Sequence, residues 1–66
     1  MSRVGNRIKQ ERTKANLSLK ELAKKVGISE GFLQDIEIGR RIANEDLIKR
    51  IEKVLNVNLS DSLLKR

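Results

Sequence analysis

The sequence predicts an all-α fold, for three reasons. No proline interrupts its 66 residues, so the strongest helix breaker is absent. Phe32 is the only aromatic residue, and β-branched residues never form the alternating run that is typical of a strand. Several stretches instead repeat apolar residues every three or four positions, between residues that commonly begin and end helices. We therefore expect one small helical domain.

Cysteine and histidine are both absent from the sequence. Disulfides and the usual metal ligands are thus unavailable, and the packing of helices must stabilise the domain. The common catalytic side chains histidine, cysteine and tyrosine are missing, and no glycine-rich phosphate loop is present. We expect no enzymatic activity, no cofactor and no metal site.

The first predicted helix spans residues 3–14, with Val4, Ile8 and Ala15 as candidates for its inward face. A second helix is predicted over residues 19–26 and a third over residues 30–38. Their predicted core residues share one helical face each: Leu22, Ala23, Val26, Leu33 and Ile36.

Local sequence signals mark where these two short helices begin and end. Ser18 can cap the second helix in a reciprocal capping box with Glu21, and Gly27 can end it in a left-handed conformation. Ser29 can cap the third helix, and Gly39 can end it. Two helices this short, with so few residues between them, must cross at a steep angle. That geometry is the helix-turn-helix.

A fourth helix is predicted between the cap Asn44 and the left-handed residue Asn56. Its inward stripe follows helical spacing: Leu47, Ile48, Ile51, Val54 and Leu55. We expect Ile42 to anchor the preceding loop to the core, and Val57 and Leu59 to return to it. Ser60 is predicted to cap a fifth helix.

These signals together resemble the helix-turn-helix domain of Cro and lambda-type phage repressors. The matching segments are Leu17-Ser18, Glu21-Leu22-Ala23, Val26-Gly27-Ile28-Ser29, Leu33, Ile36-Glu37 and Gly39-Arg40-Arg41. The resemblance implies a five-helix, lambda-repressor-like DNA-binding domain over residues 4–64, with the helix-turn-helix over residues 19–38. The segments 39–44 and 51–59 are also similar to the multiprotein bridging factors, a family of adaptors between proteins.

The repressor resemblance implies that helix three enters the major groove of duplex DNA. The candidate DNA-binding residues lie at the start of helix two, on helix three and in the loop after it: Ser18, Lys20, Ser29, Glu30, Gly31, Phe32, Gln34, Asp35, Arg40 and Arg41. Arg40 and Arg41 are the candidates for phosphate contacts. In the same family, an arginine at Arg12 pairs with a glutamate at Glu37, which implies a structural salt bridge.

Some features favour a protein partner instead. Leu19 occupies a position where the repressors usually have a phosphate-binding glutamine, and Glu30 and Asp35 place negative charge on the face that would meet DNA. For these two carboxylates, a contact to cytosine and a purely structural or solvated role both remain open. Ile38 and Phe32 could form an apolar patch at the end of helix three.

The net charge of +6 favours nucleic acid as the partner, although a solubilising surface would produce the same sum. Residues 1–29 sum to +6, residues 30–46 to −3 and residues 47–66 to +3. We predict sequence-specific binding of double-stranded DNA by a transcriptional regulator, and the alternative is an adaptor that binds a protein or ribonucleoprotein. No apolar run approaches the ~20 residues of a membrane span, so we expect a cytoplasmic location. For the oligomeric state, we expect a monomer or a weak homodimer.

Overall fold

The computed structural model describes residues 3–59, and these residues form four helices and no strand. The helices are α1 (Arg3–Lys14), α2 (Leu19–Val26), α3 (Glu30–Glu37) and α4 (Glu45–Leu55). The predicted all-α class is confirmed for this part of the chain. The fifth helix, predicted to begin at Ser60, lies outside the described residues.

The predicted caps of α2 are confirmed. The Ser18 hydroxyl accepts a hydrogen bond from the Glu21 N–H at 3.0 Å, and the Glu21 carboxylate accepts one from the Ser18 N–H at 2.8 Å. Gly27 has a φ of +91° and donates its N–H to the carbonyl of Ala23. Because only glycine adopts that backbone conformation cheaply, α2 ends at its predicted residue.

Helix α3 begins as predicted and ends one residue early. The Phe32 N–H donates to the Ser29 hydroxyl at 3.1 Å. Gly39 has a φ of +88° and donates its N–H to the Ile36 carbonyl, which tightens the last turn and leaves Ile38 outside the helix.

Helix α4 also has its predicted caps. The Leu47 N–H donates to the Asn44 side chain at 2.8 Å, and Asn56 is left-handed, with a φ of 57°. The Leu59 N–H then donates to the Glu52 carboxylate at 2.7 Å, which fixes the segment that follows α4.

The core lies between the four helices. Its fully buried side chains are Ile8, Leu22, Leu33, Ile36, Ile51 and Leu59. The inward residues predicted for α2 and α3 are all buried, and Val54 and Leu55 at the end of α4 are half-buried against the same core. No helix within residues 3–59 is long and apolar enough to cross a membrane.

Two predicted core residues were wrong. Ile42 is 95% exposed, because Ala43 faces the core in the non-helical segment before α4 and leaves its neighbour Ile42 pointing away. Ala15 is exposed because α1 ends at Lys14 and the chain turns at Asn16, which has a φ of +61°.

Gly5 allows α1 to cross α3 at very short distance. A Cβ at this position would overlap the carbonyl oxygens of Ile36 and Glu37. Any larger residue would push α1 away from α3, so this glycine helps to set the angle and spacing at which α3 is held.

Candidate nucleic-acid interface

Helix α3 has a buried side and an open side. Leu33, Ile36 and Glu37 are buried, and these residues attach the helix to α1 and α2. On the other side, Ser29, Glu30, Gly31 and Gln34 are exposed, and Phe32 and Asp35 are half-buried. The structure thus brings the six candidate residues of the α3 region onto one end and one side of a single short helix.

The first turn of α3 is open to close approach. The Ser29 hydroxyl is occupied by its cap to the Phe32 N–H. A Cβ at Gly31 would meet no atom within 4 Å, so nothing in the described residues requires glycine there. A large surface could therefore lie close to the α3 backbone at this point.

An ion pair ties α1 to the end of α3. The Arg12 guanidinium donates from Nε to the Glu37 carboxylate at 2.8 Å and from Nη2 at 3.2 Å. Its Nη1 donates to the Leu17 carbonyl at 2.9 Å. The side chains of Arg12 and Glu37 are 13% and 4% exposed. This bidentate geometry couples three segments of chain.

The candidates at the start of α2 are exposed, and within the described residues Lys20 has no hydrogen bond or ion pair. Ser18 forms the capping box described above. The pKa of Glu21 is lowered below its ordinary value, mainly by the hydrogen bond from the Ser18 backbone N–H and to a smaller extent by the Ser18 side chain. Hydrogen bonds to the ionised carboxylate produce this shift. The Lys20 ammonium is placed on the outer surface of the first turn.

Leu19 lines a hollow of about 360 Å³ between α1, α2 and α3, and the other lining residues are Asn6, Lys9, Arg12, Gln34, Glu37 and Ile38. Ile38 is 56% exposed there. Phe32 lines a different hollow, together with Ile28 and Ile42. The apolar patch predicted for Phe32 and Ile38 is therefore divided between two hollows.

The two arginines of the loop after α3 differ in their contacts. Arg41 donates from Nε to the Asp35 carboxylate at 3.4 Å, and its guanidinium lies 5.4 Å from the centre of the Phe32 ring. The Arg40 side chain is exposed and has no hydrogen bond or ion pair within the described residues. Sequence reasoning missed the Asp35–Arg41 pair, since nothing local marks two residues on either side of a helix end as partners.

Within residues 3–59, no group of three or more acidic side chains could hold a metal ion.

The arrangement of α2 and α3 is typical of the family described as "Helix-turn-helix". The profile of that family matches residues 8–62 of the chain. The chain belongs to this family. The match covers all of α2, α3 and α4 and confirms the resemblance that the helix signals indicated.

Two similar proteins illustrate the range of the family. Multiprotein-bridging factor 1 of Candida albicans is 41% identical over 56 residues, which are 85% of this chain and 37% of that protein. The ImmF control region 10 kDa protein of Bacillus phage phi105 is 34% identical over 58 residues, which are 88% of this chain and 64% of that protein. The chain thus spans little more than a third of the length of the bridging factor.

Two solved structures share the fold. The clp gene regulator ClgR of Corynebacterium glutamicum aligns with a TM-score of 0.85 at 26% identity, over 94% of this chain and 66% of that chain. The Bacillus subtilis biofilm regulator SinR, solved in complex with DNA, aligns with a TM-score of 0.82 at 33% identity, over 91% of this chain and 97% of that chain.

Proposed function

We propose that this chain binds double-stranded DNA in a sequence-specific manner and acts as a transcriptional regulator, with residues 4–64 as its DNA-binding domain. The observation that carries the proposal is the match of nearly the whole fold to SinR in its complex with DNA. The exposed side of α3 supports it, because that side has the size and the open first turn that insertion into a major groove requires.

Base recognition would then come from the exposed residues of α3. The amide of Gln34 can form two hydrogen bonds with adenine, and the half-buried edge of Phe32 can contact a thymine methyl group. Glu30 is exposed and can accept a hydrogen bond from cytosine. Contacts of these kinds discriminate between base pairs.

Affinity would come from cations on both sides of α3. Lys20 lies at the start of α2, and Arg40 and Arg41 lie in the loop after α3. Each phosphate contact releases counterions from the DNA, so affinity should fall steeply as salt increases.

The first experiment measures fluorescence anisotropy of a labelled random-sequence duplex pool at about 50 and about 200 mM salt, followed by selection of bound sequences. We expect binding that weakens with salt and enrichment of one sequence. Arg40→Ala/Arg41→Ala should weaken binding to all sequences, and Gln34→Ala should change the preferred sequence. Lys53→Ala, on the outer face of α4, is the matched control.

Absence of binding by the wild type at the lower salt, with its helices intact by circular dichroism, would overturn the proposal. The symmetry of the selected sequence would also report on oligomeric state, for which we propose a monomer or weak homodimer. A palindromic site would indicate two copies of the chain on the DNA.

A second candidate is an adaptor that binds a protein or ribonucleoprotein. It is supported by the 41% identity to a bridging factor and by the exposure of Ile38 beside Leu19 in the hollow under α1. This function predicts that Ile38→Ser abolishes partner binding and leaves the fold intact, while duplex DNA does not bind. Tight salt-dependent binding of DNA by the same Ile38→Ser variant would argue against it.

A further inference from the structure

Arg41 is held against α3 by several separate contacts. Its backbone N–H and that of Arg40 both donate to the Asp35 carbonyl, at 3.2 and 2.8 Å. Its Nε donates to the Asp35 carboxylate at 3.4 Å, and its guanidinium lies over the Phe32 ring at 5.4 Å. Asp35 and Phe32 are three positions apart on α3, so they lie side by side on the helix surface.

The contacts leave the end of the guanidinium open. Asp35 accepts from Nε alone, and the Arg41 side chain is 63% exposed. The two terminal nitrogens, which form the fork that matches two phosphate oxygens, are therefore unused in the described structure. Arg40, one residue earlier in the same loop, has the same charge, but its side chain has no hydrogen bond or ion pair within the described residues.

We propose that Asp35 and Phe32 are positioning residues that present the Arg41 guanidinium to a DNA phosphate, an inference that rests on the proposed function. A side chain fixed in its binding geometry loses less conformational freedom when it binds. Asp35 then contributes to binding through Arg41, and the negative charge that it places on α3 is neutralised by the same contact.

This role accounts for a carboxylate on a helix that faces a polyanion. One Asp35 oxygen already accepts from Arg41 and the side chain is half-buried, so a cytosine contact would have to use the other oxygen. A carboxylate that was merely solvated would repel phosphates, and its removal would strengthen binding. A solvated role and the positioning role thus predict opposite signs for Asp35→Ala, and a cytosine contact differs from the positioning role because it does not depend on Arg41.

The test measures the affinity for a random-sequence duplex at about 50 mM salt. Asp35→Ala removes both the acceptor and the charge, and it should weaken binding about twofold to fivefold, the range for an exposed ion pair. Asp35→Asn retains an oxygen that can accept from Nε and loses the charge, so it should bind at least as tightly as the wild type. In an Arg41→Ala background, Asp35→Ala should no longer weaken binding.

A second comparison uses the neighbouring arginines as matched sites. Lysine keeps the charge but has neither Nε–H nor a flat face to stack on Phe32. Arg41→Lys should therefore weaken binding more than Arg40→Lys, with Lys53→Ala as the control for handling and folding. Equal losses at the two arginines would overturn the positioning role.

Other outcomes are equally decisive. If Asp35→Ala and Asp35→Asn both strengthen binding, Asp35 only repels the DNA. If Asp35→Ala weakens binding in the Arg41→Ala background as well, Asp35 acts through another group. Either result, with a wild type that binds the duplex, overturns this inference alone, whereas a wild type that does not bind overturns the proposed function together with it.

Discussion

Among single residues, Arg12 and Glu37 make the contact with the largest expected effect on stability. The Glu37 side chain is 4% exposed, and Arg12 is its charged partner. Arg12→Leu would leave a buried carboxylate without that partner, so we expect a loss of about 3–5 kcal/mol in the free energy of unfolding. Urea denaturation at neutral pH measures this loss.

The double variant Arg12→Leu/Glu37→Leu is the control for that substitution. Because it removes the buried charge as well, it should recover most of the lost stability. A double variant less stable than Arg12→Leu alone would contradict this explanation and would show that the carboxylate has another partner.

Substitution by alanine is expected to have opposite effects on stability at Gly5 and Gly31. Gly5→Ala places a Cβ against the carbonyl oxygens of Ile36 and Glu37, so it should destabilise the domain by about 1–3 kcal/mol through forced separation of α1 and α3. Gly31→Ala meets open space in α3 and should stabilise it by up to about 1 kcal/mol. Thermal unfolding of the two variants would contradict this account if both shifts had the same sign.

Residue contacts could be predicted only where a local pattern or a family pattern indicated them. The pairing of Arg12 with Glu37 was implied by the repressor resemblance. The close approach at Gly5 and the pairing of Asp35 with Arg41 depend on where two segments meet in space. A glycine inside a helix, or an aspartate six residues before an arginine, has no distinctive sequence signal.

At the level of the helices, the capping box at the start of α2 predicts how the stability of the domain depends on pH. Hydrogen bonds from Ser18 hold the Glu21 pKa below its ordinary value of 4.5 in the folded protein. A carboxyl with a lowered folded pKa contributes stability above its unfolded pKa, and this contribution is lost as pH falls through the folded pKa. The stability advantage of wild type over Glu21→Gln should therefore be constant from neutral pH down to about 4.5 and shrink below it.

Thermal unfolding of both proteins in a series of buffers measures that difference, since glutamine cannot titrate in this range. Ser18→Ala removes one of the two hydrogen bonds and should reduce the pH dependence. An advantage that grows as the solution becomes more acidic would contradict the assignment, because it would require a raised pKa.

Helix ends were predictable because each cap involves residues only three or four positions apart. Ser18, Ser29 and Asn44 cap the helices that their positions indicated, and Gly27 and Asn56 are left-handed as expected. The loops that connect the helices were harder to predict. Hydrophobicity predicted Ile42 as the loop anchor, but the loop backbone is fixed by bonds to Asp35, and it buries the smaller Ala43 instead.

At the scale of the whole molecule, function separates from fold. The residues that build the core follow helical spacing, and that spacing predicted the all-α class, whereas the family was indicated by the resemblance to the repressors. Glu30, Gly31 and Gln34 on the open side of α3 are exposed, so the fold does not constrain their identity, and the fold alone cannot indicate which base sequence they recognise. The net charge does not identify the function either, because +6 is compatible with DNA binding and with a solubilising surface.

DNA that binds the folded domain and not the unfolded chain should raise the melting temperature of the domain. A duplex present at about 100 times its Kd adds about 2.7 kcal/mol, which for a domain of this size corresponds to a rise of about 10–20 °C. The rise should shrink between about 50 and 200 mM salt, relative to DNA-free samples at each salt concentration, because phosphate contacts weaken as salt increases. Arg40→Ala/Arg41→Ala should melt within a few degrees of the wild type without DNA, because both side chains are exposed, and it should show a smaller rise with DNA. Differential scanning fluorimetry with an extrinsic dye measures these shifts, and a rise of equal size at both salt concentrations would contradict an interface dominated by phosphate contacts.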